Sequence, residues 1–392
     1  MFFDLKKAFD VCSHEILLMK LERMGVRGTA LHWFKNYLAN RKQKVDINGQ
    51  LSDERGIEIS IMQGSILGPI LFLCYINDLH TVTTLLTLMF ADDTFCLKSG
   101  HNLNELITHI NSEINKMALW FRANKLAVNK SKTKYMIFHM RGKKIDVNTL
   151  DVLYNENELN QNKNELITVL ERYHNNHIND DCRAYKLLGI CLDENLTFDL
   201  HIKYLTNKLS RSMYCIKRAK GVLNEKSMLS LYYALIHSHL MYCPTILACT
   251  SKANLTKIHK VQKKALRIMS NSKYNAHTGP ICVRHNILPF DKIITQAQLL
   301  FMHSIRYEYA PPSFNNIWTN ERNMNVVLRN NNQYILQHPR IDFFKKIPLY
   351  ACPNEWNNAG DIIHYNNKTT FKIALKDKLL CEVEEEHIRN NL

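Results

Sequence analysis

Two short apolar runs, Leu85 to Phe90 and Thr94 to Leu97, flank Ala91-Asp92-Asp93, and no other stretch constrains the fold as tightly. Apolar runs of this length bounded by a turn predict strands, so the acidic pair is expected at the tip of a hairpin. Helical spacing returns from Leu103 to Trp120, and Lys134 to His139 reads as a further strand. Helices and strands mixed in this way predict an α+β layer.

The stretch before the hairpin fits the same class. Residues 13–24 predict an amphipathic helix, with Ser13 as N-cap, Leu17, Leu21 and Met24 on one face and Gly25 just past the end. A second helix is expected over 29–39. RKQKVDING and GIEISI alternate like two strands, with Asn48-Gly49 turning after the first, and lead into Gln63-Gly64-Ser65. Ile66 to Leu79 predicts a buried helix whose Pro69 lies near the first turn, where a missing N–H is harmless. After the hairpin region, 154–182 is Asn-rich and reads as an inserted loop with one helical stretch. The run YKLLGICLD restores order at 185, and a last amphipathic helix is expected from Phe371 to Leu380.

Charge narrows the choice of partner. The 392 residues carry 51 Lys plus Arg against 36 Asp plus Glu, a net +15, which points to a polyanion. Between 200 and 275 there are fourteen basic residues against one acid, Glu225, so nearly all the excess sits in one fifth of the chain. In that region Leu255, Ile258, Val261, Ala265 and Ile268 form an apolar stripe, and Lys257, Lys260, Lys264 and Arg267 a basic one at the same spacing. One face can pack while the other meets phosphates; a merely solvated helical surface is the alternative. The eleven cysteines include no C-x-x-C pair, which argues against a zinc ribbon or a disulfide framework and favours a reducing compartment. His174 with His177, and His237 with His239, lack further ligands at metal-binding spacing. The longest apolar run, Ile66 to Ile76, is about half of what a bilayer needs and contains Gly68-Pro69, so no membrane segment is expected. No signal peptide is expected at Met1, and RGKK at 141–144 is too short to read as a nuclear signal.

Transfer of phosphoryl and nucleotidyl groups develops charge on phosphate oxygens, which two divalent ions bridged by carboxylates can absorb. Such a centre needs carboxylates from different strands converging on one point, and Asp4 in MFFDLKKAFD with Asp92-Asp93 in MFADDT are the candidates. Either alone is also what a solvated turn looks like. Together they form a series: DLKKAFD, then QGSILGPILF and YINDL, then FADDT, then LAVNKSKTK, in that order at compact spacing.

This series resembles the successive motifs of a reverse-transcriptase palm, in the wording of jockey-like non-LTR retrotransposons, and the resemblance extends over nearly the whole chain. It implies an antiparallel palm sheet with helices on one face over 1–140, and a palm end with a primer-grip hairpin at KLLGICLD over 141–198. A basic helical thumb would follow over 199–275 and an α-rich extension, carrying LPFDKI and CPNEWNN, over 276–392. It implies RNA-directed DNA synthesis from dNTPs on an RNA template and a DNA primer. Asp4, Asp92, Asp93 and the carbonyl of Leu5 would hold two Mg²⁺ or Mn²⁺ ions, ions suited to hard oxygen ligands. Three crowded carboxylates should repel, so one is expected to titrate high.

By the same resemblance Phe9 is the bulky residue that excludes a ribose 2′-OH, with a plain core aromatic as the alternative. Gln63 and Gly64 would contact the incoming nucleotide and template, small Gly64 permitting close backbone approach. Lys132 would protonate the pyrophosphate leaving group, with Lys134 able to substitute. Two departures stand out. Met62 replaces the usual proline before Gln-Gly, and the sequence opens at the metal strand itself, so that fingers and endonuclease are expected to be missing and autonomous activity weak. A non-catalytic nucleic-acid-binding remnant, a decayed reading frame and a group II intron maturase are the competing readings.

Overall fold

A computed structural model describes residues 1–142, 151–155, 167–172, 185–314, 317–318, 334–336 and 338–389. The chain divides into two compact units, Met1–His174 and Asn175–Leu392.

In the first unit β1 (Phe2–Phe3) leads into α1 (His14–Arg23) and α2 (Gly28–Leu38). Ser13 does stand at the N-cap of α1, but its side chain makes no capping bond. Leu17 and Leu21 are buried, whereas Met24 falls beyond the last turn and is exposed. The expected pair of long strands is a more broken ribbon: β2 (Arg41–Gln43) pairs with β5 (Arg55–Ile57), and β3 (Asp46–Ile47) with β4 (Gln50–Leu51) around Asn48-Gly49. Residues 59–61 leave the ribbon because the N–H groups of Ser60 and Ile61 donate to the carbonyls of Cys12 and Phe9 instead.

The helix expected over 66–79 is shorter. As α3 it spans Gly68–Ile76 with Pro69 in its first turn and gives way to a 3₁₀ turn at Asn77–Val82, while Ile66 is 92% exposed. The hairpin forms as expected, from β6 (Leu86–Phe90) and β7 (Asp93–Leu97), followed by α4 (Leu103–Ala123) and β8 (Lys134–Tyr135), which is only two residues long.

Much of the Asn-rich insert lies outside the described residues. Its described parts are strands and not the expected helical stretch: β9 (Leu153–Asn155) pairs with β10 (Ile167–Val169), and β11 (Glu171–Arg172) joins the main sheet parallel to β8. The sequence I-T-V is β-branched throughout, which favours a pleated strand over a helix. The completed sheet has the order β11-β8-β1-β7-β6.

Side-chain alternation gives this sheet two different faces. Phe3 and Cys96 point to the core, where Ile114, Met117 and Phe121 of α4 cover them. Phe2 and Phe95 meet edge-to-face on the other side, and Leu86, Leu88 and Phe90 beside them are more than half exposed or close to it, at 61%, 50% and 62%.

The helical layer is tied down at two points. Tyr75 of α3 donates its hydroxyl to the Asn124 carbonyl and accepts the Ser13 N–H. Lys20 of α1 donates to the Tyr75 carbonyl and to Asp78, and lies over the Trp120 ring at 4.6 Å. Glu113 of α4 accepts from Thr83, the Thr84 N–H and Lys116.

The second unit opens with a hairpin, β12 (Tyr185–Leu187) and β13 (Ile190–Leu192), turned by Leu188 and Gly189, both at positive φ as such two-residue turns require. Buried Asp193 then accepts the N–H groups of Asn195, Thr197 and Phe198 and so starts α5 (Asp199–Ala219). There follow α6 (Glu225–Tyr232), α7 (Lys252–Met269), α8 (Phe290–Arg306), α9 (Pro348–Asn357) and α10 (Lys368–Arg389). A single apolar core joins them from Ile202 to Val383, with Tyr232, Phe290, Trp356 and Phe371 fully enclosed. Residues assigned by sequence to thumb and extension thus share one core. The last helix continues well beyond Leu380, because Val383 extends the stripe of Phe371, Leu375 and Leu379 and Lys292 of α8 pairs with Glu382 and Glu386. The Asn-rich stretch at 315–332 lies mostly outside the described residues. No described helix is long and apolar enough to cross a membrane.

Candidate active site

The register of two strands sets the geometry. Phe2 lies opposite Phe95 and Phe3 opposite Thr94, so the next residues of the antiparallel pair, Asp4 and Asp93, face each other just beyond the end of β1. They share the face that carries Phe2 and Phe95, opposite the one that α4 covers. Asp92 occupies the β6–β7 turn, whose pairing closes with Phe90 opposite Asp93 and leaves Ala91 and Asp92 as a two-residue loop. Ala91 adopts φ +52°, a conformation that favours glycine, so the turn that displays Asp92 carries backbone strain.

Asp4 and Asp93 are half-buried and Asp92 is exposed. Burial raises the Asp93 carboxyl above the ordinary carboxylate range, and the charges of Asp92 and then Asp4 raise it further. That is the behaviour of crowded carboxylates, and it places Asp92 and Asp4 within electrostatic reach of Asp93. Among the described residues no three His, Cys, Asp or Glu side chains are gathered closely enough to form a ready metal cage. What the strand ends present is a set of carboxylate oxygens on partly buried backbone, donors of the kind hard divalent cations prefer.

The loop after α4 holds Asp4 by its backbone. The Asp4 N–H donates to Thr133 Oγ1, the Asp4 carbonyl accepts the Asn129 N–H at 2.7 Å, and Leu5 pairs with Val128. Lys132 is exposed on this loop, while Lys134 is half-buried in β8. Sequence reasoning singled out the lysines of this loop but not Asn129 and Thr133, which hold the backbone of Asp4. No local signal marked them: the Thr133 N–H closes the turn on the Asn129 carbonyl, and the Asn129 N–H that reaches Asp4 is a backbone group any residue could supply.

Phe9 is half-buried and stacks on Phe72 of α3, with ring centroids 4.5 Å apart. The segment before Gln63 is pinned against the Phe9–His14 stretch by the Ile61 N–H on the Phe9 carbonyl and by a His14 Nε2 contact with the Ser60 carbonyl. Gln63 donates to Asp10 Oδ1 at 2.9 Å, a partner that sequence reasoning did not single out. Gly64 sits at φ +82° in open space; the glycine that a side chain could not replace is Gly68, where a Cβ would lie 2.7 Å from the Met62 carbonyl oxygen. Close packing within the protein thus falls on Gly68, while the space beside Gly64 is open. The first unit brings together Asp4, Leu5, Asp92, Asp93 and the Lys132 loop, and separately Phe9, Asp10 and Gln63.

The basic residues expected to meet nucleic acid lie in the second unit on α7. Its buried stripe is Asn254, Ile258, Gln262, Ala265, Leu266 and Met269, so Leu255, Val261 and Ile268 are only half-buried. The stripe is rotated because two amides find partners inside: Gln262 donates to Tyr232 and the Leu288 carbonyl, and Asn254 to Asp199 and Thr250. Lys257 donates to Asn254 and Arg267 to the Ala276 carbonyl, while Lys260 and Lys264 stand exposed.

Comparison with known proteins agrees with this geometry. Residues 1–191 match the family described as reverse transcriptase (RNA-dependent DNA polymerase). The chain is 26% identical over 292 residues to "RNA-directed DNA polymerase from mobile element jockey" of Drosophila melanogaster, covering 71% of this chain and 29% of that protein. It is 26% identical over 293 residues to "Probable RNA-directed DNA polymerase from transposon BS" of the same fly, covering 70% and 29%. A third relative, "Probable RNA-directed DNA polymerase from transposon X-element", is 23% identical over 318 residues, covering 78% and 31%. The chain thus spans about three tenths of the length of these relatives. With its paired strand ends, acidic turn and motif order, residues 1–191 belong to the reverse transcriptase family, in the form found in jockey-like non-LTR retrotransposons.

Proposed function

We propose that this chain carries the core of an RNA-directed DNA polymerase, in which Asp4, Asp92 and Asp93 serve nucleotidyl transfer from a dNTP to a primer 3′-OH. The observation that carries this reading is the strand register that sets Asp4 opposite Asp93, with Asp92 on the adjoining turn. Asp4, Asp92 and Asp93, with the Leu5 carbonyl, would hold two Mg²⁺ or Mn²⁺ ions, which when bound activate the attacking oxygen and stabilise charge on the phosphate. The exposed apolar platform of Leu86, Leu88 and Phe90 on the same face offers the primer end a surface that does not compete for cations.

Phe9, held by its stack on Phe72, is the residue proposed to exclude a ribose 2′-OH. Gln63, oriented by Asp10, would meet the incoming nucleotide and template, and Lys132 would donate a proton to the leaving pyrophosphate. In the second unit Lys260 and Lys264 would meet phosphates, with Lys257 and Arg267 contributing charge beside them.

Purified residues 1–392 are expected to extend a DNA primer on an RNA template only weakly. A triphosphate needs several cations, and of the residues proposed here to meet the nucleotide, Phe9, Gln63, Gly64 and Lys132, only Lys132 is basic. Asp92→Asn or Asp93→Asn should abolish the incorporation that occurs. Vigorous extension would overturn the expectation of weakness, and extension that survives either substitution would overturn the site. A second reading, a nucleic-acid-binding protein without catalysis, is favoured by the basic surface between 200 and 275. It predicts binding that weakens steeply with salt and is untouched by Asp92→Asn, with no incorporation in any variant.

A further inference from the structure

Helices α5 and α7 of the second unit pack side by side, and between them and the loop after α7 lies a cavity of about 480 Å³. This volume is within the range of small-ligand pockets, roughly 300 to 1,000 Å³. Its rim is unusual for a helical surface. Lys217 and Lys220 come from the end of α5, Lys264 and Arg267 from α7, and no carboxylate lines it. Two tyrosines stand at its edges, Tyr214 on α5 and Tyr274 on the loop, 63% and 86% exposed. Met213 and Ile268, both half-buried, line it as well, so apolar surface lies beside the cations.

Such a site is more than the phosphate-facing charge already assigned to α7. A duplex backbone is satisfied by a charged convex face, and its bases, stacked on one another, have no use for a cavity with exposed rings. An unpaired nucleotide presents the opposite combination: a flat apolar base that stacks on aromatic rings and a phosphate that seeks lysine and arginine. Arg267 suits this role because its Nε is already fixed on the Ala276 carbonyl, which holds the guanidinium in place at the cavity. Lys257 and Lys260, although on the same helix, do not line the cavity.

We propose that this pocket holds an unpaired nucleotide of a single strand, its base against Tyr214 or Tyr274 and its phosphate on Lys217, Lys220, Lys264 and Arg267. The inference rests on the reading of this chain as a nucleic-acid-binding protein and is independent of catalysis at Asp4, Asp92 and Asp93. It gives the second unit a preference for single-stranded segments over duplex.

Fluorescence anisotropy with the full chain tests it, using a labelled single-stranded oligonucleotide, the same strand with an abasic centre, and a blunt duplex of equal length. Tyr214→Ala combined with Tyr274→Ala is expected to weaken single-strand binding about tenfold or more, the scale of losing one stacked base. Duplex binding should stay within about twofold, the Phe counterparts should retain affinity, and abasic and intact strands should bind the double Ala variant alike. Equal single-strand affinity in wild type and double Ala variant would overturn the pocket, as would an equal loss on the duplex. If wild type at low salt binds neither strand nor duplex, the nucleic-acid reading itself fails, an outcome distinct from failure of the pocket alone.

Discussion

Single residues carry more than their number suggests. Ala91 holds a left-handed backbone on the turn that displays Asp92. Ala91→Gly should stabilise the first unit by about 0.5 kcal/mol in chemical denaturation, since relieved strain outweighs the added freedom of the unfolded chain. Lys20 is buried between Asp78 and the rings of Trp120 and Tyr75, and burial lowers its pKa while the Asp78 hydrogen bond opposes the drop. Lys20→Met keeps the aliphatic packing and leaves the half-exposed Asp78 to water, but deprives the Tyr75 carbonyl of its donor, and should cost about 1–2 kcal/mol in the same measurement. At Gly68 the smallest side chain already collides with the Met62 carbonyl. Gly68→Ala should therefore cost about 1–3 kcal/mol and shift the Gln63-Gly64 loop, which a changed proteolysis pattern at that loop would reveal.

At the scale of elements, the clearest dependence is on Glu113, which ties α4 to the start of β6. Burial alone would raise its pKa, but the hydrogen bonds from Lys116, the Thr84 N–H and Thr83 outweigh that and hold it at about 2, against an ordinary 4.5. A folded pKa below the unfolded one means that the unfolded chain takes up the proton first as pH falls. The contribution of Glu113, up to ~3 kcal/mol, is thus fully present above about pH 4.5 and lost between there and about pH 2. Glu113→Gln should lower stability at neutral pH and flatten the fall of denaturation midpoint with acid across that window; an unchanged slope would show that other carboxylates set it.

For the whole molecule, each of the two compact units has its own apolar core and two tryptophans, Trp33 and Trp120 in the first, Trp318 and Trp356 in the second. Calorimetry of residues 1–392 is expected to depart from a single two-state transition. Mn²⁺ should raise the transition of the first unit alone, by the free energy of binding to the folded state, and Asp93→Asn should abolish the shift. A shift that persists in Asp93→Asn would place the ion elsewhere.

The sequence by itself singled out the acidic hairpin and the family, because local pattern suffices for both: an acidic pair between two apolar runs specifies a hairpin tip, and the order of motifs specifies the family. It also sufficed for α1, α2 and α4, whose apolar spacing is helical over several turns. Contacts that join distant segments were illegible in it. Asn129 and Thr133 clamp Asp4 from 125 or more residues away, Asp10 takes the amide of Gln63, and β11 enters the sheet from within an insert that reads as loop. The buried stripe of α7 is rotated because Gln262 and Asn254 find partners on other helices, which no periodicity in α7 can disclose. Local propensity fixes what each segment can be. Which backbone group meets which side chain depends on the whole chain closing around a common core, and only the tertiary structure decides it.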